Sequence, residues 1–179
     1  MAIAILGWGS LIWDRRNLQL ISDWLPDGPT LPIEFSRISS GNRLTLVIDP
    51  ANGVPTRSCF AISAFDIVSL AAENLRAREE CNSRDIGHLS ADAERPAADH
   101  TRATLHDWLR AKDIAGVTWT ALPPNFPAKR QREFSIDEAL AHLASLSIDE
   151  MKNALNYIRK APAQVQTPLR AAVSVQYPG

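Results

Sequence analysis

The chain has 179 residues, 45% of them hydrophobic, and a formal net charge of −1. That length buries a substantial core in one domain without metal or disulfide staples, and a near-neutral balance with scattered Lys and Arg leaves no electrostatic footprint for nucleic acid or an anionic membrane. The two cysteines, Cys59 and Cys81, the lack of a basic segment leading into an apolar one, and the lack of any apolar run near the ~20 residues that cross a bilayer predict a cytoplasmic protein without a disulfide framework.

Residues 1–6 form an unbroken apolar run rich in β-branched side chains, the pattern of a buried strand. The run breaks at Gly7-Trp8-Gly9-Ser10, where Gly7 and Gly9 permit backbone angles that a side chain forbids. Peptide groups that leave a sheet at such a bend turn to water, to a helix start or to an anionic group such as a carboxylate. The stretch therefore reads as a binding loop. Residues 17–25 stay open between a short helix and an extended segment, ended by Pro26-Asp27-Gly28-Pro29. Alternation predicts strands over 31–39 and 43–49, joined as a hairpin through Ser40-Gly41-Asn42, and a further strand over 57–62 after a turn at 50–55.

The character changes at Ser63-Ala64-Phe65-Asp66, whose hydroxyl-then-carboxylate spacing predicts an N-cap and a helix over 67–80. Val68, Ala72, Leu75 and Glu79 fall on one face, whereas Glu73, Arg76 and Glu80 form a separate polar one. Glu79 thus stands on the apolar side. A desolvated carboxylate can both take and give a proton near neutral pH, and Glu80, facing roughly 100° away on an ideal helix, is the natural control. Residues 81–95 read as a loop with a short strand at 86–89, placed to cover the site. Pro96 marks a helix start, and Thr101, Thr104, Leu105, Trp108 and Leu109 carry an apolar stripe towards Lys112. A strand over 114–122 follows. The capping-box spacings Ser135 to Glu138 and Ser147 to Glu150 predict helices over 137–145 and 149–159, with a tail beyond. The elements predict one α+β domain over residues 1–179 with a mainly antiparallel or mixed sheet.

Several chemistries fail on spacing. Ile12 stands where G-x-G-x-x-G needs its last glycine, and Leu11-Ile12 does not complete a G-x-S-x-G nucleophile elbow. The four histidines, His88, His100, His106 and His142, show no i, i+4 pair, so no metal site is expected.

Gly7-Trp8-Gly9-Ser10-Leu11-Ile12-Trp13 resembles the Tyr-Gly-Ser-Leu type loop that follows the first strand of the gamma-glutamylcyclotransferase-like proteins. Leu75-Arg76-Ala77-Arg78-Glu79 looks like the Leu-x-x-Arg-Glu segment of their glutathione-specific, ChaC-type branch, in the same order and at a similar distance. The resemblance covers the first half of the chain. It implies a small mixed or mainly antiparallel β-barrel, closed or nearly closed and flanked by helices, with a cavity at its mouth for one small molecule. It further implies that Gly7, Trp8, Gly9, Ser10 and Leu11 form the substrate-binding segment, with backbone groups of Gly9, Ser10 and Leu11 on the α-carboxylate and amine of a γ-glutamyl group, and that Glu79 is the general acid/base. The implied reaction cyclises a γ-glutamyl amine or peptide to 5-oxoproline and frees the amine. Nucleophile and electrophile belong to one molecule, so neither metal nor organic cofactor is needed.

Two features depart from the pattern. Trp8 stands where tyrosine is usual, although an indole N–H still donates. Asp85 and Ile86 occupy the spacings where a tyrosine is expected after the glutamate. The competing readings are a non-catalytic small-molecule binder on the same fold, an interaction domain without a cavity, and, for Glu79 alone, a helix-end ion pair with Arg78 or Arg76.

Overall fold

The first apolar run becomes a strand that pairs along both sides. In the computed structural model, which describes residues 1–178, β1 spans Ile3–Gly7 and every residue in it is buried. The other strands are β2 (Thr30–Ile38), β3 (Leu44–Ile48), β4 (Val54–Arg57), β5 (Cys59–Ile62), β6 (Ile86–Ser90) and β7 (Gly116–Thr120). A four-stranded sheet has the order β5-β1-β7-β6. In it β5 runs antiparallel to β1 with Ile5 opposite Ala61, β7 runs parallel to β1 with Ala4 opposite Val117, and β6 is antiparallel to β7. A central strand buried on both faces reads as a continuous hydrophobic run, which is how β1 reads.

The second sheet, of order β3-β2-β4, contains the antiparallel hairpin of β2 and β3, with a register shift between Glu34 and Arg37. The architecture is mixed α+β, as the element pattern predicts, with two sheets and six α-helices among the described residues. Among the described residues neither sheet closes into a barrel. The outer edge of β5 is already occupied, because Leu25 and Phe60 exchange both backbone hydrogen bonds and Leu20 bridges Ser63. Residues 17–25, open between helix and extended chain in the sequence, form no helix: after a turn at 16–17 and around a bend at 21–22 they meet that edge at Leu20 and Leu25.

The chain divides into two compact units, one made of Met1–Leu31 and Arg57–Leu122, the other of Pro32–Thr56 and the chain from Pro123 onward. In the first unit, α1 (Val68–Glu79) packs against β1, β6 and β7, and α2 (His100–Lys112) packs against β6 and β7. Leu75 and Ala72 of α1 join Ile5, Leu11, Leu18 and Ile86 in one buried cluster. The second unit holds the short α3 (Phe126–Arg130) and three helices that pack on one another, α4 (Ile136–Ala144), α5 (Ile148–Lys160) and α6 (Pro168–Gln176), with α5 also against β3. No described helix is long and apolar enough to cross a membrane.

Helix starts differ from expectation in two places. Ser63 does not cap α1: its N–H is held by Ile3 O in the sheet, its hydroxyl accepts from Phe65 N, and the residue at the helix start is Ile67, with no side-chain cap. Helix α2 begins at His100 rather than at Pro96, because Asp99 accepts the N–H of Arg102 and fixes the first turn there. Ser135 and Ser147 do cap α4 and α5, and at Ser147 both arms of the capping box form. The predicted tail contains α6, which Thr167 caps and Pro168 opens.

Candidate functional site

The loop after β1, the last turn of α1 and the segment that follows it all belong to the first unit. The loop is a tight turn. Ile12 N–H donates to Gly9 O at 3.1 Å and Asp14 N–H to Ser10 O at 2.8 Å. The peptide N–H groups of Gly9, Ser10 and Leu11 meet no acceptor among the described residues, as the first donors of a helical turn do. No described glycine has a positive φ, so the expectation of special backbone angles at Gly7 and Gly9 is corrected. Gly7 provides space instead: a Cβ there would lie 2.8 Å from an atom of the Trp24 ring, which would have to shift. Trp8 and Leu11 are buried, the latter in the cluster with Leu75, while Ser10, Ile12 and Trp13 are half-buried. The side chain of Leu11 is therefore committed to the core.

Helix α1 ends directly at Glu79. Glu80 adopts φ 53°, in the left-handed region, and its N–H closes on Arg76 O. The Glu79 side chain is 19% exposed and that of Glu80 is 79% exposed, a contrast in the direction the helical register predicts. Glu79 Oε1 accepts Arg78 Nη1 at 2.7 Å, and its Oε2 meets no donor among the described residues. The ion pair weighed against catalysis in the sequence is thus present, and its partner is Arg78.

The sequence offers Arg78 only as an ion-pair partner for Glu79, not as a buried residue tied to the loop. The Arg78 side chain is 3% exposed. Nη2 donates to the carbonyl of Asp14 at the end of the loop, and Nε is buried with no partner among the described residues. Arg16 crosses in the other direction, from the loop exit to Arg78 O at 3.4 Å, with Asp14 and Glu80 carboxylates at 3.4 and 3.6 Å. The buried face of α1 is Ala71, Ala72, Leu75 and Arg78, and Leu70 is exposed. The spacing 71, 75, 78 was a signal in the sequence, since it lays an arginine on the apolar stripe.

The neighbours of Glu79 narrow the chemistry. Cys81 is half-buried against the same cluster; burial pushes its thiol up, and the carboxylates of Glu79 and Asp85 add to the rise. The rise disfavours the thiolate, which is the nucleophilic form of a cysteine. Asp85 ends a 3-10 turn, where its carboxylate accepts Asn82 N–H, and Ile86 is buried in the cluster, so neither supplies a phenol to the site. His106 and His142 are buried with Nε2 at 3.0 Å from Ala93 O and 2.8 Å from Asn42 O. No group of three or more His, Cys, Asp or Glu side chains among the described residues is placed to hold a metal ion.

A groove of about 600 Å³ in the same unit lies elsewhere, between Met1, Ala2, Leu109 and Ile114 with Asp92 and Arg110 at its wall. At ~3.3 Å per strand residue it is separated from the loop by the length of β1, roughly 17 Å, so it is no part of the Glu79 site. No family model, curated protein or solved structure matches the chain.

Proposed function

We propose that the protein is a gamma-glutamylcyclotransferase-like enzyme that cyclises a γ-glutamyl amine or peptide to 5-oxoproline and releases the amine. The observation that carries this reading is the tie between α1 and the loop: Arg78 bonds Glu79 through one nitrogen and the Asp14 carbonyl through another. A carboxylate with one free oxygen and a loop with three unpartnered N–H groups are thereby held by one side chain. The loop N–H groups take the α-carboxylate of the γ-glutamyl moiety. Its α-amine attacks the γ-carbonyl carbon, the new C–N bond closes the five-membered ring, and the bond to the departing amine breaks. Glu79 Oε2 takes the proton from the attacking amine and returns it to the leaving one, so atoms and charge balance. Both reacting groups belong to one molecule, which makes the enzyme's task the holding of a folded conformer.

The test is release of 5-oxoproline from a panel of γ-glutamyl amines and peptides, glutathione included. Glu79→Gln is expected to lower kcat by about 10²–10⁴, with Glu80→Gln near wild type. No product from any member of the panel, or loss of turnover with Glu80→Gln while Glu79→Gln retains it, overturns the assignment. The second reading, a small-molecule binder without turnover, is favoured by the side chains at 85 and 86, one committed to a turn and one to the core. Saturable binding of a γ-glutamyl compound without 5-oxoproline selects it.

A further inference from the structure

We propose that Arg78 is the positioning residue of this site, coupling the conformation of the loop to the carboxylate of Glu79. Neighbours in sequence do not face each other on a helix, so the Arg78 and Glu79 pair is not an ordinary helix-surface pair. Arg76 provides the contrast: it pairs with Glu73 one turn away on the exposed face. Arg78 instead points into the unit, 3% exposed, and buries a guanidinium whose Nε has no partner among the described residues. Burying a cation costs free energy unless its partners are held well. Both of its partners belong to the candidate site, Glu79 Oε1 and the carbonyl of Asp14, whose own N–H closes the turn on Ser10 O. The planar fork of an arginine fixes two directions at once, which the single ammonium of a lysine does not. Arg78 therefore sets where the carboxylate and the loop stand relative to each other, and touches no substrate itself.

The kinetic consequence rests on the cyclotransferase reading; the coupling between loop and carboxylate does not. Amide hydrogen exchange over residues 8–14 is measured for the full chain as wild type, Glu79→Gln, Arg78→Lys and the double variant. Coupling through Arg78 predicts faster exchange in this segment for each single variant, no further acceleration in the double variant, and unchanged exchange in β6 and β7. In the 5-oxoproline assay, Arg78→Lys raises KM and lowers kcat together, with kcat/KM down by about ten- to a hundredfold, and Glu79→Gln raises KM in the same direction besides its larger loss of kcat. The proposal is overturned if Glu79→Gln leaves exchange over 8–14 as in wild type, if the two variants add independently, or if Arg78→Lys accelerates exchange across the whole first unit. Glu79→Gln preserves the shape of the side chain, so it decides the matter even where Arg78→Lys fails to fold. Absence of turnover in the wild type rejects the cyclotransferase reading and leaves the exchange experiment to judge the coupling.

Discussion

Replacing Glu34 by glutamine changes how stability depends on pH, and burial sets the direction. Glu34 lies on β2 with no exposed surface. Its Oε1 accepts the Phe35 N–H at 2.7 Å and its Oε2 the N–H of Leu169, in the first turn of α6, at 3.5 Å. Burial pushes the carboxyl above its ordinary value of 4.5; hydrogen bonds from the Thr167 hydroxyl and the Phe35 and Leu169 peptides offset only part of this, and the Asp49 carboxylate adds to the rise. A carboxyl raised in the folded state contributes stability that is fully present below 4.5 and is lost as pH rises through the folded value. That loss accumulates at no more than about 1.4 kcal/mol per pH unit. Glu34→Gln abolishes the titration, but the amide nitrogen cannot accept as the hydroxyl oxygen of the neutral acid still can, so one of the two peptide N–H groups faces an amide NH2. The cost is about 1–3 kcal/mol and does not vary with pH. The variant is therefore less stable than wild type at about pH 4.5, and the gap narrows upward from there. Urea unfolding followed by far-ultraviolet circular dichroism, from about pH 4.5 to about 8 at constant ionic strength, measures it. A gap that stays constant, or widens with pH, means that burial does not hold the Glu34 carboxyl above its ordinary range.

Two further predictions concern stability. In Gly87→Ala the new Cβ collides with the indole of Trp119 on the paired strand β7; the expected loss is about 1–3 kcal/mol with a change in tryptophan emission, and an unchanged thermal midpoint would remove the packing argument. At the start of α5, hydrogen bonds from the Ser147 hydroxyl, the Asn42 side chain and the Ser147 peptide hold the Glu150 carboxyl down to about 2. A depressed carboxyl contributes stability present above 4.5 and lost as pH falls towards about 2. Ser147→Ala is expected to move the Glu150 titration upward in a carbon-13 NMR experiment, and a midpoint that stays near its wild-type position would show that the hydroxyl is not the cause.

Much of the fold is legible because its elements carry local signals. The apolar run of β1, the hairpin of β2 and β3, and the serines that cap α4 and α5 each follow from spacing alone. The start of α1 misleads because Ser63 carries a cap-like pattern but is claimed by the sheet, a tertiary hydrogen bond that overrides the local preference. The α1 face is displaced for a related reason. An arginine counts as polar in any periodicity, yet Arg78 lies buried with Ala71 and Leu75, because its stem packs while its guanidinium finds oxygen partners inside.

The candidate site is less legible than the fold for a reason specific to its central bond. Glu79 and the loop each have a recognisable sequence signature, but what joins them is a side chain bonded to a main-chain carbonyl across 64 residues. Every residue type carries that carbonyl, so the acceptor at position 14 leaves no mark in the sequence. Only the donor does, as an arginine at the end of an apolar stripe. The same asymmetry governs mutation: changing the Asp14 side chain removes its pair with Arg16 and spares the carbonyl, whereas changing Arg78 removes the tie itself. Asp14→Asn is accordingly the substitution that separates the charge of the loop exit from its geometry.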